Sequence, residues 1–288
     1  MRIGLVGNRR YRPLADLLAR LAEEAPRIGV ELVYEPQLAE LVNGAEGTAL
    51  HEAELDIILS LGGDGTLLRA ARIGCQRGIP ILGINLGRLG FLAGAGPDQA
   101  EDALRRLVRG QYTIERRIAL YARIGDDGPQ ALAINDVVIH KGGVARVIRL
   151  SVSVDGEQVG TYSADGIVVA TPTGSTAYSL SAGGPIVVPS VDAFVVTPIS
   201  PHTLAVRPLV VPATATIGIR VLEPVPDPSE LLVSIDGQAT AHLKARQDVT
   251  IMRATPAVLL AQLSDETFFA RLRRKMAWGD LSGRAGAG

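Results

Sequence analysis

The sequence predicts an α/β N-terminal domain, a parallel sheet with helices, followed by an all-β, sandwich-like C-terminal domain. Two observations carry this. Up to Gln111 strand-like runs alternate with helical ones, and after it the helix signal nearly vanishes while strand patterns recur at short intervals. The expected division is residues 1–111, residues 112–265, and a C-terminal helix with a flexible tail over 266–288. A chain of 288 residues, 47% hydrophobic and 20% charged, can bury one large core or two smaller ones.

In the first part, strands are expected over 3–7, 31–34, 56–61 and 79–84. A helix over 13–27 carries Leu14, Leu17, Leu18 and Leu21 on one face, and another follows over 67–76. Residues 97–109 read as an amphipathic helix, with Pro97 in its first turn and Gly110 just past its end. In the second part, Ile148, Leu150, Val152 and Val154 alternate with polar residues up to an Asp155-Gly156 turn. Strand patterns over 216–222, 231–235, 249–252 and 258–263 complete that half. Residues 266–278 form a helical pattern, apolar at Phe268, Phe269, Leu272 and Met276 and basic at Arg271, Arg273, Arg274 and Lys275, expected to pack back on a folded surface.

The most informative segment joins the 56–61 strand to the helix behind it through Gly62-Gly63-Asp64-Gly65-Thr66. In a parallel sheet this turn falls at a strand's carboxyl end, where ligands sit. Its glycines are expected to adopt positive φ and to bring phosphates against bare N–H groups, with the helix dipole behind them. Asp64 is the one charge inside the turn. It reads either as a group that takes a proton from an attacking hydroxyl or, with Thr66, as a helix cap. There is no lysine for a Walker loop and no G-x-G-x-x-G spacing.

Two further segments stand out. Residues 171–184 are nearly all small, hydroxyl or glycine residues around Tyr178. They form either a loop or a polar wall on which Thr173, Ser175, Thr176, Tyr178, Ser179 and Ser181 offer hydroxyls, with tight turns at Asp165-Gly166 and Gly174. Asn135-Asp136 interrupts a strand-like run over 131–140. The pair suits a base edge and a ribose diol, or equally a strand end bonded to backbone.

A net charge of −1 argues against a general nucleic-acid surface. No apolar stretch approaches the ~20 residues that span a bilayer, so no membrane partner is expected. The single cysteine, Cys75, reads as packed, and with a strand at the start of the sequence it points to a cytoplasmic location.

Together with Gly83-Ile84-Asn85, Leu89-Gly90-Phe91-Leu92, the run from Thr171 through Thr176-Ala177-Tyr178-Ser179, and Asp236-Gly237-Gln238, these elements resemble the NAD kinase family over most of the chain. The resemblance implies that the γ-phosphoryl group of ATP passes to the 2′-hydroxyl of the adenosine ribose of NAD, forming NADP, with a divalent cation, Mg2+, carried by ATP. It implies Asp64 as general base, and Gly62, Gly63 and Thr66 at the phosphates. Arg69, on the first turns of the helix behind Asp64, reads as a phosphate contact or as a solvated helix arginine. NAD contacts are implied for Gly65, Asn135, Asp136, Arg146, Asp165, Thr176, Ala177, Tyr178, Ser181 and Gln238. No protein metal site is implied. Asp136 stands where many relatives have Glu, and Ser163 where some have Arg. Apolar strand faces left uncovered by helices, as in the family, lead to an expected homodimer or homotetramer. A lipid or sugar kinase and an NADP-binding sensor are the rival readings. The hydroxyl-rich segment disfavours the first, and the presence of Asp64 the second.

Overall fold

The structure, a computed structural model, describes residues 1–87, 90–92, 94–125, 128–142, 147–203, 205–222, 231–243, 247–264 and 266–276. The chain divides into two compact units, residues 1–116 together with the chain from Val258 onward, and residues 117–257.

The first unit runs β1 (Arg2–Gly7), α1 (Leu14–Arg27), β2 (Glu31–Tyr34), α2 (Pro36–Ala39), β3 (Ile57–Gly62), α3 (Asp64–Cys75), β4 (Ile81–Asn85), α4 (Ala100–Val108) and β5 (Thr113–Arg117). Its six-stranded sheet has the order β2-β1-β3-β4, then Val258–Gln262, then β5. β1 pairs in parallel with β2 and β3, and β3 with β4, so their carboxyl ends line one edge. Every residue of β3 is buried, as expected of a strand covered on both faces. The apolar stripe Leu14, Leu17, Leu18, Leu21 of α1 and the Ala100, Ala103, Leu104, Leu107 stripe of α4 share a core with Ile3, Leu5, Ile57 and Leu59. Gly110 has φ 66, the left-handed conformation that ends α4.

One strand departs from the expected division. Val258–Gln262, read with the second half, pairs in parallel with β4 through Leu260 and Ile81. A short apolar run does not say which sheet it joins, because that choice is made by packing between distant parts of the chain.

The second unit comprises β6 (Leu120–Ile124), β7 (Gln130–Ala133), β8 (Asp136–Lys141), β9 (Ile148–Val154), β10 (Glu157–Ala164), β11 (Gly166–Ala170), β12 (Ala193–Ile199), β13 (Leu209–Pro212), β14 (Ile217–Val221), β15 (Leu231–Ile235), β16 (Gln238–His242) and β17 (Asp248–Arg253). They form two six-stranded sheets, β10-β9-β14-β17-β6-β7 and β13-β12-β11-β8-β15-β16. All the strand pairs given for them are antiparallel. Leu150, Val152, Ile217, Ile219 and Val221 from one sheet meet Val137, Ile139, Ile167, Val169 and Phe194 from the other in one core, as in a sandwich. Asp155 (φ 51) and Gly156 (φ 82) make the hairpin turn the sequence signals.

The run over 131–140 is not one strand. β7 ends at Ala133 and β8 begins at Asp136, so Ile134-Asn135 carries the chain from one sheet to the other. Gly166 makes no tight turn either. It opens β11, and a Cβ there would lie 2.5 Å from the Ile139 carbonyl oxygen. Residues 279–288, read as a frayed tail, lie outside the described residues.

Candidate active site

In the first unit the glycine turn sits at the carboxyl end of β3. Helix α3 starts at Asp64 itself, and its N-cap is Gly63, with φ −94, ψ −171 and no side-chain cap bond. The capping alternative for Asp64 therefore fails: Asp64 is the first residue inside the helix, and its carboxylate points elsewhere. None of Gly62, Gly63 and Gly65 has positive φ, which corrects that expectation. Their glycine character serves close approach. A Cβ on Gly62 would collide with the buried Thr66 side chain, and one on Gly63 would lie 3.0 Å from the Tyr11 hydroxyl. Gly65 faces open space.

The Asp64 carboxylate accepts N–H bonds from Phe91 (Oδ2, 2.9 Å) and Leu92 (Oδ1, 3.3 Å), and Lys275 Nζ lies 4.0 Å from Oδ2. A carboxylate has about four lone-pair sites, so one on each oxygen remains for a ligand hydroxyl. Arg69, read as a phosphate contact or a solvated helix arginine, is bonded within the fold. Nη1 donates to Glu35 at 2.7 Å, and Nη2 donates to Glu35 at 2.9 Å and to the Gly7 carbonyl at 2.5 Å. Glu35 is buried and also accepts from Gly7 N at 2.8 Å, so Arg69 fastens α3 to the carboxyl end of β1.

In the second unit Asn135-Asp136 is a strand end gripped by backbone bonds. The Asp236 carboxylate, on the β15–β16 hairpin, accepts from the N–H groups of Ile134 (3.0 Å), Asn135 (2.7 Å) and Asp136 (3.3 Å). Asp136 is 4% exposed. Burial, and then the charge of Asp236, push its carboxyl up to about 7.

β11 pairs with β8 so that Ala170 faces Asp136, and the hydroxyl-rich segment begins there. This segment separates into two sets. Thr171, Thr173, Ser175 and Ser179 are buried and bonded within the fold: Thr171 Oγ1 donates to Ile134 O at 2.7 Å, and Ser175 Oγ to Pro172 O at 2.7 Å. Arg117 donates to Thr173 Oγ1 at 3.2 Å, and Ser179 meets Thr197 at 2.9 Å. Thr173, Ser175 and Ser179 are therefore scaffold, not an open wall. Tyr178, 46% exposed, and Ser181 face outward from the short helix Tyr178–Ser181, while Thr176 and Ala177 are half-buried and Thr176 Oγ1 donates to Thr173 O at 3.2 Å. Gly174 is needed because a Cβ there would overlap the Asn135 carbonyl.

Gln238 is exposed at the start of β16, two residues past Asp236. Asp165 is not brought to this cluster. It is exposed beside Gly166, which pairs with His140, so about 17 Å of extended strand separates it from Ala170. Arg146 lies outside the described residues. Sequence reading missed three contributors: Asp236 as the organiser of Asn135-Asp136, and Arg271 and Lys275. The signal for Arg271 was its place between Phe268 and Leu272 on the helix's apolar side. It is buried, whereas Phe269 is exposed, the reverse of the expectation at these two positions, while Leu272 is buried as expected.

Cys75 is packed as expected, and burial pushes its thiol up to about 11. Titration of the native protein with a thiol-specific disulfide reagent at neutral pH should show no reaction until denaturant is added. Prompt reaction would contradict this packing.

A largely parallel α/β sheet with a carboxylate-bearing glycine turn on its carboxyl edge, followed by a two-sheet β unit, defines the class as a two-unit protein with a candidate phosphate site at the glycine turn. The models of the ATP-NAD kinase N-terminal and C-terminal domains match residues 3–112 and 134–263. An NAD kinase of Gemmatimonas aurantiaca is 47% identical over 290 residues, covering 99% of each chain. One from Heliobacterium modesticaldum is 44% identical over 272 residues, covering 93% of each. The crystal structure of yeast NADH kinase complexed with NADH superposes with a TM-score of 0.88 at 23% identity, covering 97% of this chain and 88% of that one, a likeness of fold. The NAD kinase from Archaeoglobus fulgidus in complex with ATP gives 0.73 at 28% identity, covering 96% and 99%. The chain belongs to the NAD kinase family and is one of its enzymes.

Proposed function

We propose that this protein transfers the γ-phosphoryl group of Mg–ATP to the 2′-hydroxyl of the adenosine ribose of NAD, with Asp64 accepting the hydroxyl proton. The observation that carries this reading is the placement of Asp64: first in α3, relieved of capping by Gly63, and with lone pairs to spare. The Pγ–O bond to ADP breaks as the bond from the ribose oxygen to phosphorus forms, and the proton passes to Asp64. The α3 N-terminus with Gly62, Gly63, Gly65 and Thr66 faces the phosphates, and Arg69 keeps that edge in place through Glu35. The divalent cation is carried on the phosphates of the donor substrate.

Asn135, Asp136, Thr176, Ala177, Tyr178, Ser181 and Gln238 take the NAD, Tyr178 offering an exposed ring for base stacking. The reaction is placed in the cytoplasm. Incubating purified protein with Mg–ATP and NAD or NADH should yield the 2′-phosphorylated dinucleotide and ADP. Absence of both products would overturn the reading.

Asp165, just before the far end of β11, serves the site of a second copy in this proposal, so the working form is a homodimer or homotetramer. Mixed dimers of Asp64→Asn and Asp165→Ala chains should then recover about half of the parent activity, and a randomly co-assembled preparation about a quarter, although each variant alone is crippled. No recovery from mixed dimers verified by mass spectrometry would place Asp165 in the site of its own chain.

A further inference from the structure

The Phe268–Met276 helix brings two cations to the turn that holds Asp64. Arg271, 5% exposed, donates from Nη1 to the Phe91 carbonyl at 2.5 Å, and its Nε lies 3.5 Å from Glu266. Lys275 follows four residues on, along the same helix face. Its Nζ lies 4.4 Å from the Phe91 ring centroid and 4.0 Å from Asp64 Oδ2. Phe91 is thus held by both of its backbone groups, its carbonyl by Arg271 and its N–H by Asp64. Gly90 permits the approach, because a Cβ at that position would overlap the Asp64 carboxylate.

We propose that Arg271 and Lys275 are positioning residues for phosphoryl transfer. Arg271 fixes the Phe91 turn, and Lys275 fixes the Asp64 carboxylate against it, so that the remaining lone pairs are presented to the acceptor hydroxyl. Burying a guanidinium is costly unless it is paired, and Arg271 sets its charge beside Glu266 and one N–H on the turn. Lys275 is the more informative probe because it is partly exposed and its removal leaves no buried group unpaired. An ammonium next to a carboxylate restricts its rotation whether or not NAD is bound, so the effect belongs to kcat and not to NAD binding.

This inference rests on the reading of Asp64 as proton acceptor, and the test separates the two. Lys275→Met should lower kcat about tenfold, with KM for NAD within about twofold, and Lys275→Arg should restore most of the loss. In an Asp64→Asn background, Lys275→Met should change the residual rate by less than about twofold, because nothing remains for it to orient. Lys275→Met with kcat within about twofold of the parent, while Asp64→Asn is inactive, overturns this inference alone. An equal Lys275→Met effect in both backgrounds also overturns it, marking a merely structural contact. An Asp64→Asn protein that keeps its activity overturns the reading of Asp64 and this inference with it.

Discussion

Asp64→Asn is expected to lower kcat by ~10²–10⁴, the usual contribution of a positioned acid–base group. The substitution keeps the side chain's shape and removes its charge and its capacity to take a proton. Because Gly63 is the cap of α3, the helix loses no cap, only the favourable charge of Asp64 in its first turn. The amide keeps one acceptor oxygen for Phe91 or Leu92, and the pair with Lys275, partly exposed on both sides, weakens. The stability cost should therefore stay near about 1 kcal/mol. The measurement is NADP formation at saturating NAD and Mg–ATP, with the thermal midpoint as the folding control. A folded variant that retained most of its activity would sink the proton-acceptor role while leaving family membership intact.

Asp136→Asn is expected to stabilise the protein above neutral pH, although the residue is part of the proposed NAD site. The Asp136 carboxyl is raised from 3.8 to about 7 by burial and by Asp236. Between these values the native state holds a proton that the unfolded chain has released, so stability falls as pH rises through that window. Below about 4 both states are protonated and the two proteins should be equally stable. At pH 8 the parent buries a charge next to Asp236, and asparagine should be on the order of 2–4 kcal/mol more stable. Denaturant unfolding at pH 4, 6 and 8 would check this, and a difference independent of pH would refute it. Asp136→Ala should raise KM for NAD more than it lowers kcat, since a ribose contact made in both ground and transition states is uniform binding. A large fall in kcat at unchanged KM would assign the carboxylate to the chemistry instead.

Both effects trace to backbone geometry that a linear reading sees unevenly. The Gly62-Gly63-Asp64-Gly65-Thr66 turn was legible because a strand of buried apolar residues, a glycine cluster and a helix leave few geometries. The reason for its glycines was not legible, since positive φ and close approach use the same residue, and here close approach to Thr66 and Tyr11 decides. Likewise, the hydroxyl-rich segment was recognisable by composition. Only the fold separates Thr171, Ser175 and Ser179, buried and bonded inward, from Tyr178 and Ser181, which face out.

By itself the sequence determined the local periods: the leucine stripe of α1, the alternation of β9 and β14, the Asp155-Gly156 hairpin, and the order of the motifs that mark an NAD kinase. Tertiary structure decided everything that depends on partners distant in the chain. It placed Val258–Gln262 in the first sheet, put Asp236 under the N–H groups of Ile134, Asn135 and Asp136, and turned Arg271 inward to the Phe91 carbonyl. Periodicity reports which face of an element is apolar. Which surface that face meets, and which buried polar group finds which donor, is set by long-range packing and the need to satisfy every buried hydrogen bond.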